Sequence, residues 1–90
     1  MLYPVMIMEV IMNVTVYSKD SCVFCDKAIN LLKTTDLDYN VLKLGNDFTR
    51  DELLENFPEA RTFPVITLDG MFAGGYDQLV EVIDEWKRND

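Results

Sequence analysis

The 90-residue chain predicts one α/β domain: a four-stranded mixed sheet with three flanking helices, in the order β-α-β-α-β-β-α. Three observations carry the prediction. The first half alternates strand-like and helix-like apolar patterns, which implies a parallel β-α-β unit with a right-handed crossover. Asp69-Gly70 separates two short apolar runs and is a strong two-residue hairpin signal. The last stretch repeats apolar residues at helical spacing.

The elements follow in order. Residues 1–12 are apolar and hold four of the five Met; they are either an N-terminal extension or an extension of the first strand, with the domain proper at 13–90. Over 13–17, Val14 and Val16 alternate with Thr15 and Tyr17, and Ser18 begins a turn. Ala28, Ile29, Leu31 and Leu32 predict a helix over about 23–33. A polar break at 34–38 precedes a second strand at 39–44 and a turn at 45–47. Thr49 with Glu52 three positions on is a capping-box pattern, so a short helix spans 50–56 and Pro58 ends it. Residues 64–68 are rich in β-branched side chains, and 71–73 form the returning strand after Asp69-Gly70. Gly74-Gly75 breaks the chain, and Leu79, Val80, Ile83 and Trp86 form the apolar stripe of a last helix. The sequence contains no linker, internal repeat or low-complexity tract.

Composition narrows the function. Eight basic against sixteen acidic residues give a formal charge of −8, which opposes non-specific nucleic-acid binding. The chain lacks His, which excludes Ser–His and Cys–His nucleophile pairs and His-ligated metal. Two Cys cannot make the multi-disulfide framework of a small secreted scaffold. A domain of this size buries somewhat over ~60% of its unfolded surface, enough for a core without staples. The apolar runs fall far short of the ~20 residues of a membrane span, and the N-terminus lacks a basic n-region. The expected setting is a monomer in a reducing cytoplasm, with no membrane, nucleic-acid or metal partner.

Cys22-Val23-Phe24-Cys25 stands where the first strand hands over to the first helix. A helix N-terminus offers unpaired N–H groups and about half a positive charge, which stabilise a thiolate. Cys22, at the very start, can face solvent and those amides, while Cys25 lies deeper but within disulfide reach. Cys22 is therefore the expected attacking sulfur and Cys25 the resolving one. Three other readings compete. A structural disulfide would close too short a loop to remove much denatured-state entropy. Half a zinc site would need ligands from a second chain. Inert core cysteines fit poorly with the polar flanks Lys19, Asp20, Ser21, Asp26 and Lys27. Lys19 could lower the Cys22 pKa and bind an anion, or be a solvated loop lysine; Asp20 and Asp26 push the other way.

Three motifs together resemble a dithiol glutaredoxin of the thioredoxin-like superfamily: Cys22-Val23-Phe24-Cys25 after a Val-Tyr strand, Arg61-Thr62-Phe63-Pro64 before the third strand, and Gly74-Gly75-Tyr76-Asp77 before the last helix. The resemblance spans about 13–86. It implies a thioredoxin-like fold and glutathione-dependent reduction of protein disulfides and glutathione mixed disulfides, with glutathione as co-substrate. Ribonucleotide reductase is among the disulfide-forming or glutathionylated partners it suggests. The family's potential lies at about −200 to −230 mV.

The resemblance also implies a glutathione site of Lys19, Phe24, Arg61, Thr62, Phe63, Pro64, Gly75, Tyr76 and Asp77. In the family Pro64 is cis, which would turn the Phe63 backbone toward glutathione; otherwise Pro64 merely starts a strand. Asp77 would receive the γ-glutamyl amine and backbone amides its carboxylate, or Asp77 is simply a first-turn acid. Gly74 and Gly75 permit close backbone approach to a ligand, or make a turn. Lys19 and Arg61 are candidates for the glycine carboxylate, although Arg61 could be a surface charge. The chain departs from the commonest pattern at Val23 (usually Pro), Phe24 (usually Tyr) and Phe63 (usually small and β-branched). Two alternatives remain at this level: a [2Fe–2S] cluster-binding dimer, disfavoured by bulky Val23 and Phe24, and a redoxin reduced by thioredoxin reductase. Because glutathione is anionic, the −8 field should oppose it, so binding would rest on local cations and amides.

Overall fold

Val14, Val16 and Ser18 are buried along β1 (Val14–Ser18), while Thr15 and Tyr17 between them are half-buried on the other side. Successive strand side chains point to opposite faces, so this alternation lets one strand serve two apolar layers. The computed structural model describes residues 13–88; the segment 1–12, read above as an extension or an extended strand, lies outside the described residues. The remaining elements are α1 (Val23–Leu32), β2 (Tyr39–Lys43), α2 (Arg50–Asn56), β3 (Val65–Leu68), β4 (Met71–Gly74) and α3 (Tyr76–Arg88). The expected order β-α-β-α-β-β-α is the observed one.

The strands lie in the order β2-β1-β3-β4. β1 pairs parallel with β2, as the β-α-β start requires, and antiparallel with β3; β3 pairs antiparallel with β4. On one face, Val14, Val16 and Ile66 pack with Ala28 and Leu32 of α1 and Leu79 and Ile83 of α3. On the other face, Val65 packs with Phe48, Leu53 of α2 and Ala60, with Tyr17 against them. Consecutive Val65 and Ile66 thus belong to different layers, which is the period-two rule applied to a strand covered on both sides.

Most ends fall within a residue of the sequence reading, and the differences have local causes. β3 starts at Val65, because Pro64 has no N–H to give the ladder. β4 continues to Gly74, where a register shift between Ile66 and Thr67 lets Ile66 pair with Gly74. Val82 joins Leu79, Ile83 and Trp86 on the face of α3 against the core. Asp69 (φ 51°) and Gly70 (φ 87°) both have positive φ, the requirement of a type I′ hairpin turn. Thr49 Oγ1 accepts the Glu52 N–H (3.1 Å) and Glu52 Oε1 accepts the Thr49 N–H (2.8 Å), so the predicted capping box is complete.

Candidate active site

The site begins with a turn. After Ser18, Ser21 takes φ 55°, and Cys22 returns to extended backbone (φ −120°) as the N-cap of α1. Cys22 Sγ accepts the Cys25 N–H at 3.1 Å, in the place where a Ser or Asp oxygen usually caps a helix. The sulfur therefore sits against a first-turn amide, as the strand–helix position predicts. The two cysteines form a disulfide, with Cα atoms 5.2 Å apart. Cys25 is deeper than Cys22 (1% against 8% exposed), in the expected order, but Cys22 is more covered than a solvent-facing sulfur would be. The exposed side chains of the motif are Val23 (66%) and Phe24 (51%).

A groove of about 320 Å³ runs beside this corner, lined by Phe24, Thr62, Phe63, Gly75, Tyr76, Asp77 and Gln78. Six of the anticipated glutathione-site residues thus come together from three segments distant in sequence. Phe24 rests against Tyr76 with ring centroids 5.6 Å apart, and Lys19 Nζ lies 5.5 Å from the Phe63 ring centroid. The chain from Lys19 to Phe24 is therefore tied at both ends to groove-lining residues, with Cys22 between them. The Phe63–Pro64 peptide is cis, and Pro64 is buried. Arg61 is exposed and lines an adjoining cleft of about 330 Å³ that shares Thr62, Gly75 and Gln78 with the groove.

Of the two glycines, Gly74 is the one whose conformation requires glycine. Gly74 has φ 132°, and a Cβ there would lie 2.6 Å from Gln78 Cγ. A Cβ on Gly75 would stand 3.4 Å from the Pro64 carbonyl oxygen. Gly75 is the N-cap of α3: its carbonyl accepts the Leu79 N–H (3.1 Å), and its own N–H is taken by Gln78 Oε1 at 2.8 Å. Of the amides anticipated for an anion, that of Gly75 is already engaged. Those of Tyr76, Asp77 and Gln78 are the first-turn donors, with the exposed Asp77 among them.

Charges around the corner are arranged locally. Asp20, just before Cys22, is held by Lys43 Nζ at 2.8 Å. The hydrogen bond and then the Coulomb attraction of Asp20 hold the Lys43 ammonium above its ordinary pKa of 10.5, with a smaller contribution from Asp26. Lys27 Nζ lies 5.1 Å from the Phe24 ring and the Arg50 guanidinium 6.0 Å from Phe63. Three cations, Lys19, Lys27 and Arg50, thus lie against groove rings in a strongly acidic chain, and Lys43 holds Asp20.

Four residues here were not singled out by sequence. Gln78 had a signal, the three-residue spacing from Gly75 that resembles half a capping box. Lys27, three positions after Phe24 on one helix, had a weaker one. Lys43 is brought near Asp20 only by the parallel register that sets Ser18 against Lys43. Arg50 had none, because only packing of α2 against the sheet carries it to Phe63. Among the described residues, no group of three or more His, Cys, Asp and Glu side chains could hold a metal ion, and no helix is long and apolar enough to cross a membrane.

Comparison with known proteins bears on the same residues. A glutaredoxin family model matches residues 14–73. The chain is 32% identical over 68 residues to glutaredoxin 3 of Escherichia coli K12, covering 74% of this chain and 81% of that protein. Its fold resembles glutaredoxin C1 of Populus tremula x tremuloides (TM-score 0.65, 20% identity, 98% of this chain and 99% of that one). It also resembles a buckwheat glutaredoxin–glutathione complex (TM-score 0.67, 18% identity, 98% and 90% covered). With its paired Cys22 and Cys25 at the head of α1 and its thioredoxin-like sheet, the chain belongs to the glutaredoxin family of thiol-disulfide oxidoreductases, as a dithiol member.

Proposed function

We propose that the protein reduces protein disulfides and glutathione mixed disulfides at the expense of glutathione, with Cys22 as nucleophile and Cys25 as resolving thiol. The observation that carries this is the Cys22–Cys25 pair at the N-cap of α1 beside a groove of Phe24, Thr62, Phe63, Gly75, Tyr76 and Asp77. The buckwheat relative of the same fold, seen with glutathione, supports the choice of thiol.

In the reduced protein, the Cys22 thiolate is stabilised by the first-turn amides, of which the Cys25 N–H is the one in contact. It attacks the glutathionyl sulfur of a glutathionylated protein, forms a Cys22–glutathione disulfide and releases the substrate thiolate, which takes up a proton. A second glutathione thiolate attacks the glutathionyl sulfur, leaving oxidised glutathione and the Cys22 thiolate. On a protein disulfide, Cys22 forms the mixed disulfide and releases one substrate thiol. The Cys25 sulfur, once deprotonated, then attacks Cys22 and releases the second. The resulting Cys22–Cys25 disulfide is reduced by two glutathiones, which supply the two electrons.

Glutathione lies with its γ-glutamyl end at the start of α3, where Asp77 receives the amine and the Tyr76 and Asp77 amides face its carboxylate. The glycine carboxylate points toward Lys19, and Arg61 stands on the adjoining cleft as a second cation. A cytoplasmic location, where glutathione is kept reduced, suits this cycle. Turnover of a β-mercaptoethanol–glutathione mixed disulfide tests the proposal. Wild type and Cys25→Ser turn it over, and Cys22→Ser does not; Cys25→Ser loses reduction of protein disulfides. Turnover by Cys22→Ser, or none by wild type, refutes the assignment.

A further inference from the structure

α2 (Arg50–Asn56) carries a carboxylate where the helix itself does not favour one. Glu55 lies in the last turn, at the negative end of the helix dipole, and that turn has no basic residue. It also follows Glu52 by three positions and Asp51 by four, spacings at which like charges meet on a helix surface and repel. Among the described residues no ion pair offsets this, since the pairs are Lys43–Asp20 and Arg88–Glu85. Glu52 closes the capping box with Thr49, but Glu55 has no such local role.

Glu52 and Glu55 line a cleft of about 390 Å³ on the α2 side of the sheet, and Asp47, from the turn after β2, is a third carboxylate there. All three are exposed. The cleft is otherwise largely aromatic and apolar. Tyr17 of β1 stands edge-on to Phe48 (centroids 5.1 Å apart) and to Phe57 (5.6 Å), and all three rings line it. Among the described residues no three His, Cys, Asp or Glu side chains could hold a metal ion, so these carboxylates flank the rings without converging on a point.

Rings and carboxylates together select one chemistry. Ring faces attract cations, and a flat guanidinium both stacks on a ring and pairs with carboxylate oxygens. An apolar side chain would desolvate charges without partnering them, and an anion would be repelled. The cleft shares no lining residue with the groove beside Cys22, yet Phe48 stacks on Phe63 of that groove with centroids 6.4 Å apart. A partner seated here is thus held next to the groove rather than in it.

We propose that this cleft is a docking site for an arginine side chain on a basic segment of a partner protein. The net charge of −8 draws such a surface in at long range, and the cleft fixes where it lands. The acidity that opposes glutathione is thereby put to use in choosing a protein partner.

Titration of 15N-labelled protein at low salt with an acetyl-Ala-Arg-Ala-amide peptide tests this. The neutral isostere with citrulline in place of arginine, and spermidine as a free polyamine, are titrated beside it. The arginine peptide shifts the Tyr17, Glu55 and Phe57 signals saturably, and less tightly as salt rises. The citrulline peptide binds about fivefold more weakly, the order expected for losing ring and carboxylate attraction together. The double variant Glu52→Gln, Glu55→Gln keeps the capping box, which glutamine also closes, and weakens the arginine peptide about threefold. Glu55→Gln alone, which leaves the cap untouched, weakens it about twofold, with a urea midpoint equal to wild type or higher. Equal affinity for the citrulline peptide overturns the proposal, as does binding that Glu55→Gln leaves unchanged. So do shifts centred on Phe63 and Asp77 of the groove, or no saturable shift at Tyr17 and Phe57. Spermidine bound as tightly as the arginine peptide assigns the cleft to a free polyamine and overturns the protein partner.

Discussion

At the start of α1 the cap runs forward: Cys22 Sγ accepts the N–H of Cys25, three residues on. At the start of α3 it runs backward: Gln78 Oε1 accepts the N–H of Gly75, three residues before it. Both termini contribute to one groove, through Phe24 on one side and Tyr76, Asp77 and Gln78 on the other. α2, on the opposite face of the sheet, has both halves at once between Thr49 and Glu52. A complete capping box satisfies two donors reciprocally and leaves a quiet helix end. Each half-cap leaves something usable. At α1 the acceptor is a sulfur that can exchange bonds. At α3 the N-cap is a glycine with no side chain to give, so the first-turn amides remain available to an anion.

Substitutions at the three termini break or sharpen this contrast, and the largest effect belongs to α1. Cys22→Ser keeps a hydroxyl able to cap the helix, so it should stay folded while mixed-disulfide turnover falls to background; circular dichroism and the glutathione assay separate cap from chemistry. Next comes Gly74→Ala, which meets Gln78 in a backbone conformation of φ 132° and displaces the backward cap. It should cost about 2 kcal/mol in urea unfolding, through strain at a φ that alanine rarely adopts. Thr49→Ala breaks the complete box and should cost about 1 kcal/mol by the same measurement. Gln78→Ala removes only the backward half and should cost roughly 0.5–1 kcal/mol, leaving the Gly75 N–H to water.

The smallest effect belongs to Lys43→Met, which frees the exposed Asp20. Because the folded-state pKa of Lys43 is raised, the pair's contribution is complete below the ordinary lysine value of 10.5. It fades as pH climbs through the higher folded value. The difference in urea midpoint between wild type and Lys43→Met should therefore vanish at strongly alkaline pH. A difference that persisted there would assign the effect to packing of the lysine stem instead.

The elements were legible wherever a local rule governs them. Asp69-Gly70 must turn because both positions take positive φ, and Thr49 with Glu52 must start a helix because their side chains cap each other. The stripe of α3 drawn from i, i+1, i+4 and i+7 left out Val82, which packing brings against the core. In the site, Cys22 and Cys25 were legible from spacing and position. The protein neighbours of Gly74 and Gly75 were not. Their close neighbours are Gln78 and the Pro64 carbonyl, and Pro64 is reached only through the sheet.

The sequence by itself determined the order of elements, the alternation along β1, and a sulfur at a helix N-terminus. Each depends on residues within a few positions of one another, where periodicity and capping chemistry operate. Only the tertiary structure decided which charges meet the site. Lys43 reaches Asp20 through the parallel register of β1 and β2, and Lys19 and Arg50 reach Phe63 through three segments converging on one ring. Coulomb and cation–π energies depend on distance in space, and that distance is set by packing rather than by position along the chain.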